Sequence, residues 1–228
     1  MTVSAVLDRP STATSTAVET TTAAPVTGWW PDHAKRGFDL VATLLGLLVL
    51  LPLIAAIALA IALQDGGPVL FRQTRVGRRG TLFTIYKFRS MVVDAEALKP
   101  ELLGANEGAH HLFKIRSDPR ITPLGRVLRR LSLDELPQLL NVLNGTMSLV
   151  GPRPHLPAEV AWMPPAARRR AEVRPGLTGL WQVSGRSDLD EDQSVRLDLA
   201  YVDRCSPALD ASILGRTVGA VLSGRGAA

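Results

Sequence analysis

The longest apolar pattern in the chain runs over residues 40–63, LVATLLGLLVLLPLIAAIALAIAL, without one charged side chain. As a straight helix this segment is roughly 36 Å long, more than a hydrocarbon core requires. Fifteen of its residues are Leu, Ile or Val. At ~0.4 kcal/mol each they favour insertion by about 6 kcal/mol, before glycine and proline are counted. Core helices of soluble domains seldom run so far without a polar face. Pro52 sits at the middle of the run. A proline there removes a backbone donor and clashes with the carbonyl four residues earlier, which predicts a bend or a break. Two geometries satisfy this: a kinked span that crosses the bilayer, or a hairpin that enters and leaves on one side. Lys35 and Arg36 precede the run, and Arg72, Arg75, Arg78 and Arg79 follow it. Basic flanks mark the cytoplasmic side, and their presence at both ends favours the re-entrant hairpin.

The pattern changes on either side of this segment. Residues 1–28 are mostly Ser, Thr and Ala, with too little large apolar surface to offset the entropy of ordering. No basic start precedes an apolar core there, so it is not a secretory signal. Trp29-Trp30 close this tail, and indole suits the headgroup level of a membrane. The chain thus divides into a disordered tail (1–30), a membrane helix broken at Pro52 (31–64), a cytoplasmic globular part (65–222) and a flexible C-terminus (223–228).

Within the globular part, Gly66-Gly67-Pro68 is a turn and residues 81–88 are β-rich, predicting a strand. Thr122-Pro123 has the form of an N-cap followed by proline at the first helical position, opening a helix through Arg130. Residues 132–144 predict a second helix, with Leu133, Leu136, Leu140 and Leu143 as its apolar stripe and Gly145 as its stop. Residues 159–170 mix Val160, Trp162 and Met163 with Arg168-Arg169-Arg170, which suits either a segment lying on anionic lipid or a solvated charge run. Residues 193–202 and 211–222 read as helices. The expected fold class is α/β of the α+β type, mostly helical, with a re-entrant membrane hairpin.

Composition narrows the chemistry. One cysteine, Cys205, excludes a disulfide framework and a multi-thiolate zinc site. The four histidines show no HExxH spacing, and His110-His111, as sequence neighbours, read as ordinary surface or core residues. A net charge of +5 points to an anionic partner. Nucleic acid, which calls for a basic recognition helix or interleaved aromatics, is a poor fit because Phe and Tyr are few. A lipid surface and a phosphorylated substrate remain.

Candidate chemistry gathers at Asp134-Glu135. Ser132-Leu133-Asp134-Glu135 has the form of a capping box, and acids in a first turn complement the helix dipole. Alternatively, Asp134 is a carboxylate nucleophile or a metal ligand. Arg126, Arg129 and Arg130 lie just upstream, and guanidinium groups match phosphate oxygens. Lys87-Phe88-Arg89-Ser90-Met91 places cations at a strand end. Gly151-Pro152-Arg153-Pro154 fixes an Arg in a rigid turn. Residues 174–186, RPGLTGLWQVSGR, form a Gly-rich basic loop that matches neither a P-loop nor GxGxxG.

Together these stretches resemble the bacterial sugar transferase family, the monotopic polyprenyl-phosphate phosphoglycosyl transferases. The resemblance runs from Lys35 to Leu222. It is carried by Lys35-Arg36-Gly37-Phe38-Asp39, Asp65-Gly66-Gly67-Pro68-Val69-Leu70-Phe71-Arg72-Gln73, the Lys87–Met91 stretch, Asp118-Pro119-Arg120-Ile121-Thr122 and the 174–186 loop. Most specific is Ser132-Leu133-Asp134-Glu135-Leu136-Pro137-Gln138-Leu139-Leu140-Asn141-Val142, followed by Met147-Ser148-Leu149-Val150-Gly151-Pro152-Arg153-Pro154.

The resemblance implies an enzyme on the cytoplasmic face of the bacterial inner membrane, held by a re-entrant helix. It implies a UDP-sugar donor, a polyprenyl (undecaprenyl) phosphate acceptor and release of UMP. Asp134 and Glu135 would be the catalytic dyad, with Asp134 as nucleophile, and both would hold Mg2+. Arg129, Arg153 and Arg186 are the expected phosphate-binding residues. Lys87, Arg89 and Asp198 are further candidates, with structural ion pairing as their other reading. Relatives often carry Ser before the breaking proline, where this chain has Leu51. The 181–186 stretch looks most like exopolysaccharide enzymes, often starting with glucose or galactose, and the short tail resembles the minimal catalytic form. The rival reading is a non-enzymatic membrane anchor or adaptor that binds acidic lipid.

Overall fold

A computed structural model describes Trp30 and residues 32–107, 115, 117–185 and 189–223. The tail before Trp30, His110-His111, Arg186 and residues 224–228 lie outside the described residues. The apolar run forms helix α1, Asp32–Asp65, and the break expected at Pro52 is absent: the helix continues through the proline. It is long and apolar enough to cross a membrane, with a mean hydropathy of 3.0.

One face of α1 rests on the domain along its whole length. Lys35, Asp39 and Thr43 are buried at one end, and Ile57 and Ile61 at the other. These positions fall on one helical stripe, three or four residues apart. The other faces leave Val41, Leu44, Leu45, Leu48, Val49 and Leu63 exposed. Polar bonds fix both ends. Lys35 pairs with Asp210, and Arg36 donates to the carbonyls of Val142 and Leu143. Asp39 accepts from the Leu149 amide at 3.2 Å. At the far end Asp65 accepts two bonds from Arg89.

After the Gly66–Pro68 turn comes a hairpin of β1 (Leu70–Val76) and β2 (Leu82–Phe88), antiparallel with Leu70 opposite Phe88 and Val76 opposite Leu82. Sequence predicted only its second strand. Its tight loop places Arg79 and Gly80 at positive φ, 55° and 77°. The free edge of β2 is closed by a side chain. Asn141 accepts from the Tyr86 amide at 3.1 Å and donates to the Thr84 carbonyl at 2.7 Å, which satisfies groups a third strand would otherwise take.

Helix α2 (Pro123–Arg130) begins as expected, with the Thr122 hydroxyl accepting from the Gly125 amide at 2.9 Å. Gly125 presses on the Ser90 carbonyl, leaving no room for a Cβ. The expected helix over 132–144 is instead a 3-10 segment, Leu133–Gln138, followed by a short α3, Leu139–Leu143. Its predicted leucine stripe is corrected: Leu140 is exposed, while Asp134, Gln138, Leu139, Asn141 and Val142 are buried. A 3-10 turn repeats every three residues, so a 3.6-residue period misassigns the faces. Ser132 does not cap. It adopts the left-handed conformation (φ 53°), and its side chain makes no cap bond. Gly145 ends the segment at φ 84°.

Two three-residue strands, β3 (Ser148–Val150) and β4 (Gly176–Thr178), pair in parallel. Between them lie α4 (Pro157–Trp162) and a 3-10 segment, Pro165–Glu172. The chain continues with α5 (Glu191–Arg204) and α6 (Pro207–Ser223). The capping box absent at Ser132 occurs on α5, where Asp190 and Gln193 bond each other's backbone amides. The main core joins Ile85, Leu139, Val142, Met147, Val150, Tyr201 and Ile213. A second cluster packs Ile57 and Ile61 of α1 on Phe88 and Leu128. The fold is therefore mostly helical, with two small sheets.

Candidate active site

The 3-10 turn that defeats the leucine stripe is what presents the acids. With a three-residue repeat, Leu133 and Leu136 share one edge and pack against the Ile57–Ile61 cluster. Glu135 and Gln138 share another edge and line a cleft with Arg75, Lys87, Arg153 and Gln182. Asp134 faces inward, 7% exposed. Strand β2 brings Lys87 over both acids. Its Nζ donates to Glu135 Oε1 at 2.6 Å and lies 3.8 Å from Asp134 Oδ2. Glu135 thus takes the lysine's hydrogen bond, and Asp134 receives its field.

Burial raises the Asp134 carboxyl above the usual carboxylate range, and the neighbouring Glu135 charge adds to this. Lys87 and Arg129 pull it back. Burial also pushes Glu135 upward, but the charge and hydrogen bond of Lys87, with Arg153, hold it below its ordinary value. The dyad is split: one acid satisfied, one poised.

Arg129 approaches from α2. Its Nε donates to Ser90 Oγ at 2.9 Å, so the residue pressed against Gly125 also orients this guanidinium. Burial lowers its pKa. Arg153 stands exposed on the Gly-Pro-Arg-Pro turn, 5.6 Å over the Trp181 ring, a cation–π distance. The structure thus brings Asp134, Glu135, Lys87, Arg129 and Arg153 to one region.

Two expected residues are engaged elsewhere. Arg89 is buried, bonded to both Asp65 oxygens and to the Pro68 carbonyl at 2.7 Å. It fastens the hairpin to the end of α1. Asp198 is fully buried on α5, paired with Arg170. The arginine run 168–170 is also divided. Arg170 is internal, Arg169 bonds Asp203 at 2.7 Å and Glu172 at 3.3 Å, and Arg168 is exposed.

Sequence reasoning missed Arg75, Gln138 and Gln182 as cleft residues. For Arg75 the signal was the two-residue alternation of a strand, which puts it on one face with Gln73. Arg75 donates to Gln73 Oε1 at 2.6 Å and to the Pro154 carbonyl at 3.2 Å. Burial, then the Arg153 charge, pushes Arg75 down to about 10, so it stays cationic at neutral pH. Gln138 is placed by the 3-10 period, which the pattern of leucines conceals.

No cluster of three or more His, Cys, Asp or Glu side chains occurs among the described residues. Asp134 and Glu135 nevertheless face a common point, now taken by the Lys87 ammonium. Two carboxylates completed by substrate phosphate oxygens form a donor set that Mg2+ accepts.

An acid poised beside cations is an arrangement suited to group transfer on a phosphorylated substrate. The chain belongs to the bacterial sugar transferase family, whose model matches residues 30–224. It is 40% identical over 197 residues to an exopolysaccharide production protein ExoY of Sinorhizobium fredii, covering 85% of this chain and 87% of that one. It is 44% identical to an undecaprenyl-phosphate galactose phosphotransferase of Salmonella typhimurium, covering 85% and 41%. It is 45% identical to an undecaprenyl-phosphate glucose phosphotransferase of Komagataeibacter xylinus, covering 83% and 36%. The chain thus spans less than half the length of the latter two.

Proposed function

We propose that the protein transfers a sugar 1-phosphate from a UDP-sugar to polyprenyl phosphate, at the cytoplasmic face of the inner membrane, for exopolysaccharide or glycoconjugate synthesis. The observation that carries this reading is the division of labour in the dyad. Glu135 binds Lys87, and Asp134 stays buried, basic and without that hydrogen bond. A carboxylate in this state can attack phosphorus.

In the first step an Asp134 oxygen forms a bond to the sugar-bound phosphorus, the diphosphate bridge breaks, and UMP leaves with the bridging electrons. In the second step an oxygen of the lipid phosphate attacks the same phosphorus. The Asp134 carboxylate is released and polyprenyl-diphosphate sugar is formed. Each step brings anions together, so positive charge must already be in place. Lys87, Arg129, Arg75 and Arg153 supply it, and Arg186 joins them in this reading. Asp134 and Glu135 would hold Mg2+ together with donor phosphates. When bound, the ion neutralises charge on those phosphates.

The anchoring of α1 to one domain at both ends argues against a helix that simply spans the bilayer. A spanning helix separates its ends by roughly 30 Å of hydrocarbon, yet Lys35 and Ile61 both pack on one domain. That arrangement suits a site at headgroup depth, where the lipid phosphate lies and a soluble nucleotide can enter. The names of the Salmonella and Komagataeibacter relatives agree on undecaprenyl phosphate and differ between galactose and glucose. We therefore extend the acceptor, and a hexose donor, to this chain.

The test is UMP release in nanodiscs containing undecaprenyl phosphate, with a panel of UDP-sugars. Wild type releases UMP from one of them, and Asp134→Asn lowers the rate by about 10³-fold or more. Equal turnover by that variant overturns the Asp134 assignment, whereas no UMP release from any donor leaves the adaptor reading.

A further inference from the structure

Beside the catalytic cleft lies a second, larger cavity of about 750 Å³, well within the range that holds a small-molecule ligand. It opens between the β1–β2 turn and the segment from α4 to Val173. Its walls are mostly apolar: Val76, Val160, Met163, Pro165, Ala171 and Val173. No residue of α1 lines it. Arg153 lines both cavities, so the two meet at the Gly-Pro-Arg-Pro turn.

The charges in this wall are unequal. Arg169 and Arg170 are neutralised by Glu172, Asp203 and Asp198. Arg79, Arg153 and Arg168 also line the cavity and form no ion pair among the described residues. The cavity therefore offers apolar walls and three guanidinium groups with no ion pair among the described residues, and it adjoins the cleft of the two acids.

We infer that this cavity seats the nucleoside 5′-phosphate half of the donor, with Arg153 bridging its diphosphate to Asp134. The inference rests on the UDP-sugar reading above and adds where the donor lies. The walls decide among the donor's parts. A hexose carries hydroxyls in every direction, and apolar walls would leave them unpaired at a cost. A pyrimidine has two apolar faces, and its polar atoms lie at the edge. The prenyl chain is excluded by position, because it follows the bilayer and the exposed faces of α1. The free arginines match the diphosphate, for which planar guanidinium groups are suited.

The test is equilibrium binding of labelled UMP to the full chain in nanodiscs, alongside KM for undecaprenyl phosphate. Ala171→Trp fills the cavity and weakens UMP binding about tenfold or more. Arg168→Ala removes an exposed charge without disturbing the core and weakens it about fivefold. Both leave the lipid KM unchanged. Wild-type UMP binding in both variants overturns the inference, as does a change in lipid KM alone, which assigns the cavity to the prenyl carrier. The two readings fail separately. Turnover with unaffected cavity variants sinks only the nucleoside site. UMP binding that depends on the cavity, with no UMP released from any UDP-sugar, sinks only the catalytic reading.

Discussion

Two lysine–carboxylate groupings in this molecule use the same residue types for opposite purposes. At the foot of α1, Lys35 and Asp210 pair inside the protein, and the Tyr201 hydroxyl donates to Asp210 at 2.8 Å. Lys35, Asp210 and Tyr201 are all buried there. At the dyad, Lys87 faces two acids, bonds one at 2.6 Å and stands 3.8 Å from the other, beside a cleft of further cations. A closed pair fixes where a helix sits. An incompletely bonded trio leaves Asp134 available, because Lys87 gives its hydrogen bond to Glu135.

The contrast is sharpest when each lysine is neutralised. Lys87→Met removes the charge that restrains Asp134, and the rate of UMP release falls about 10²-fold, with thermal unfolding in detergent little changed. Lys35→Met strands a buried Asp210 carboxylate and costs about 3–5 kcal/mol of stability, read as a lower unfolding midpoint. If both variants lose stability and activity in the same proportion, the division between closed and open groupings is wrong.

A smaller effect is expected at the joint between α2 and β2. Gly125→Ala drives a Cβ into the Ser90 carbonyl, and Ser90 also accepts from Arg129. Turnover should fall about tenfold through displacement of Arg129, with UMP affinity in the neighbouring cavity preserved. Loss of both would show that the helix shift reaches the whole cleft.

The smallest effect, and the most diagnostic, is on pH. In the proposed mechanism Asp134 attacks in its ionised form, and burial together with the Glu135 charge raises its pKa. The acid limb of kcat/KM therefore lies above the range of an ordinary carboxylate. Glu135→Gln removes a like charge and frees Lys87 to bond Asp134. Both changes favour the ionised form, so the acid limb moves to lower pH. A limb that moves upward contradicts the assigned coupling.

Where local chemistry decides the structure, the sequence was readable. Thr122 and Pro123 start α2, Gly145 stops α3, and the β-rich residues after Thr81 form β2. Features set by distant contacts were not. The β3–β4 pair is three residues long on each side and depends on Gly151 lying flush against the 174–176 backbone. Nothing local announces it. The 132–144 segment shows a subtler failure. Its leucines fit a 3.6-residue period, but Pro137 and the left-handed Ser132 begin it as a tighter turn. Lys87, Arg129 and Arg153, expected as phosphate-binding residues from the family pattern, lie near the acids. Arg89 and Asp198 sit in the same pattern and are closed ion pairs. A motif preserves a residue without saying whether it binds substrate or holds the frame.

The central claim is that the Asp134 carboxylate is transiently esterified by the donor's phosphosugar. The direct measurement is intact-peptide mass spectrometry after mixing the protein with its UDP-sugar, with polyprenyl phosphate withheld. The account predicts a hexose phosphate mass on the peptide containing Asp134, discharged when lipid phosphate is added. An unmodified peptide under conditions where added lipid restores turnover would contradict it.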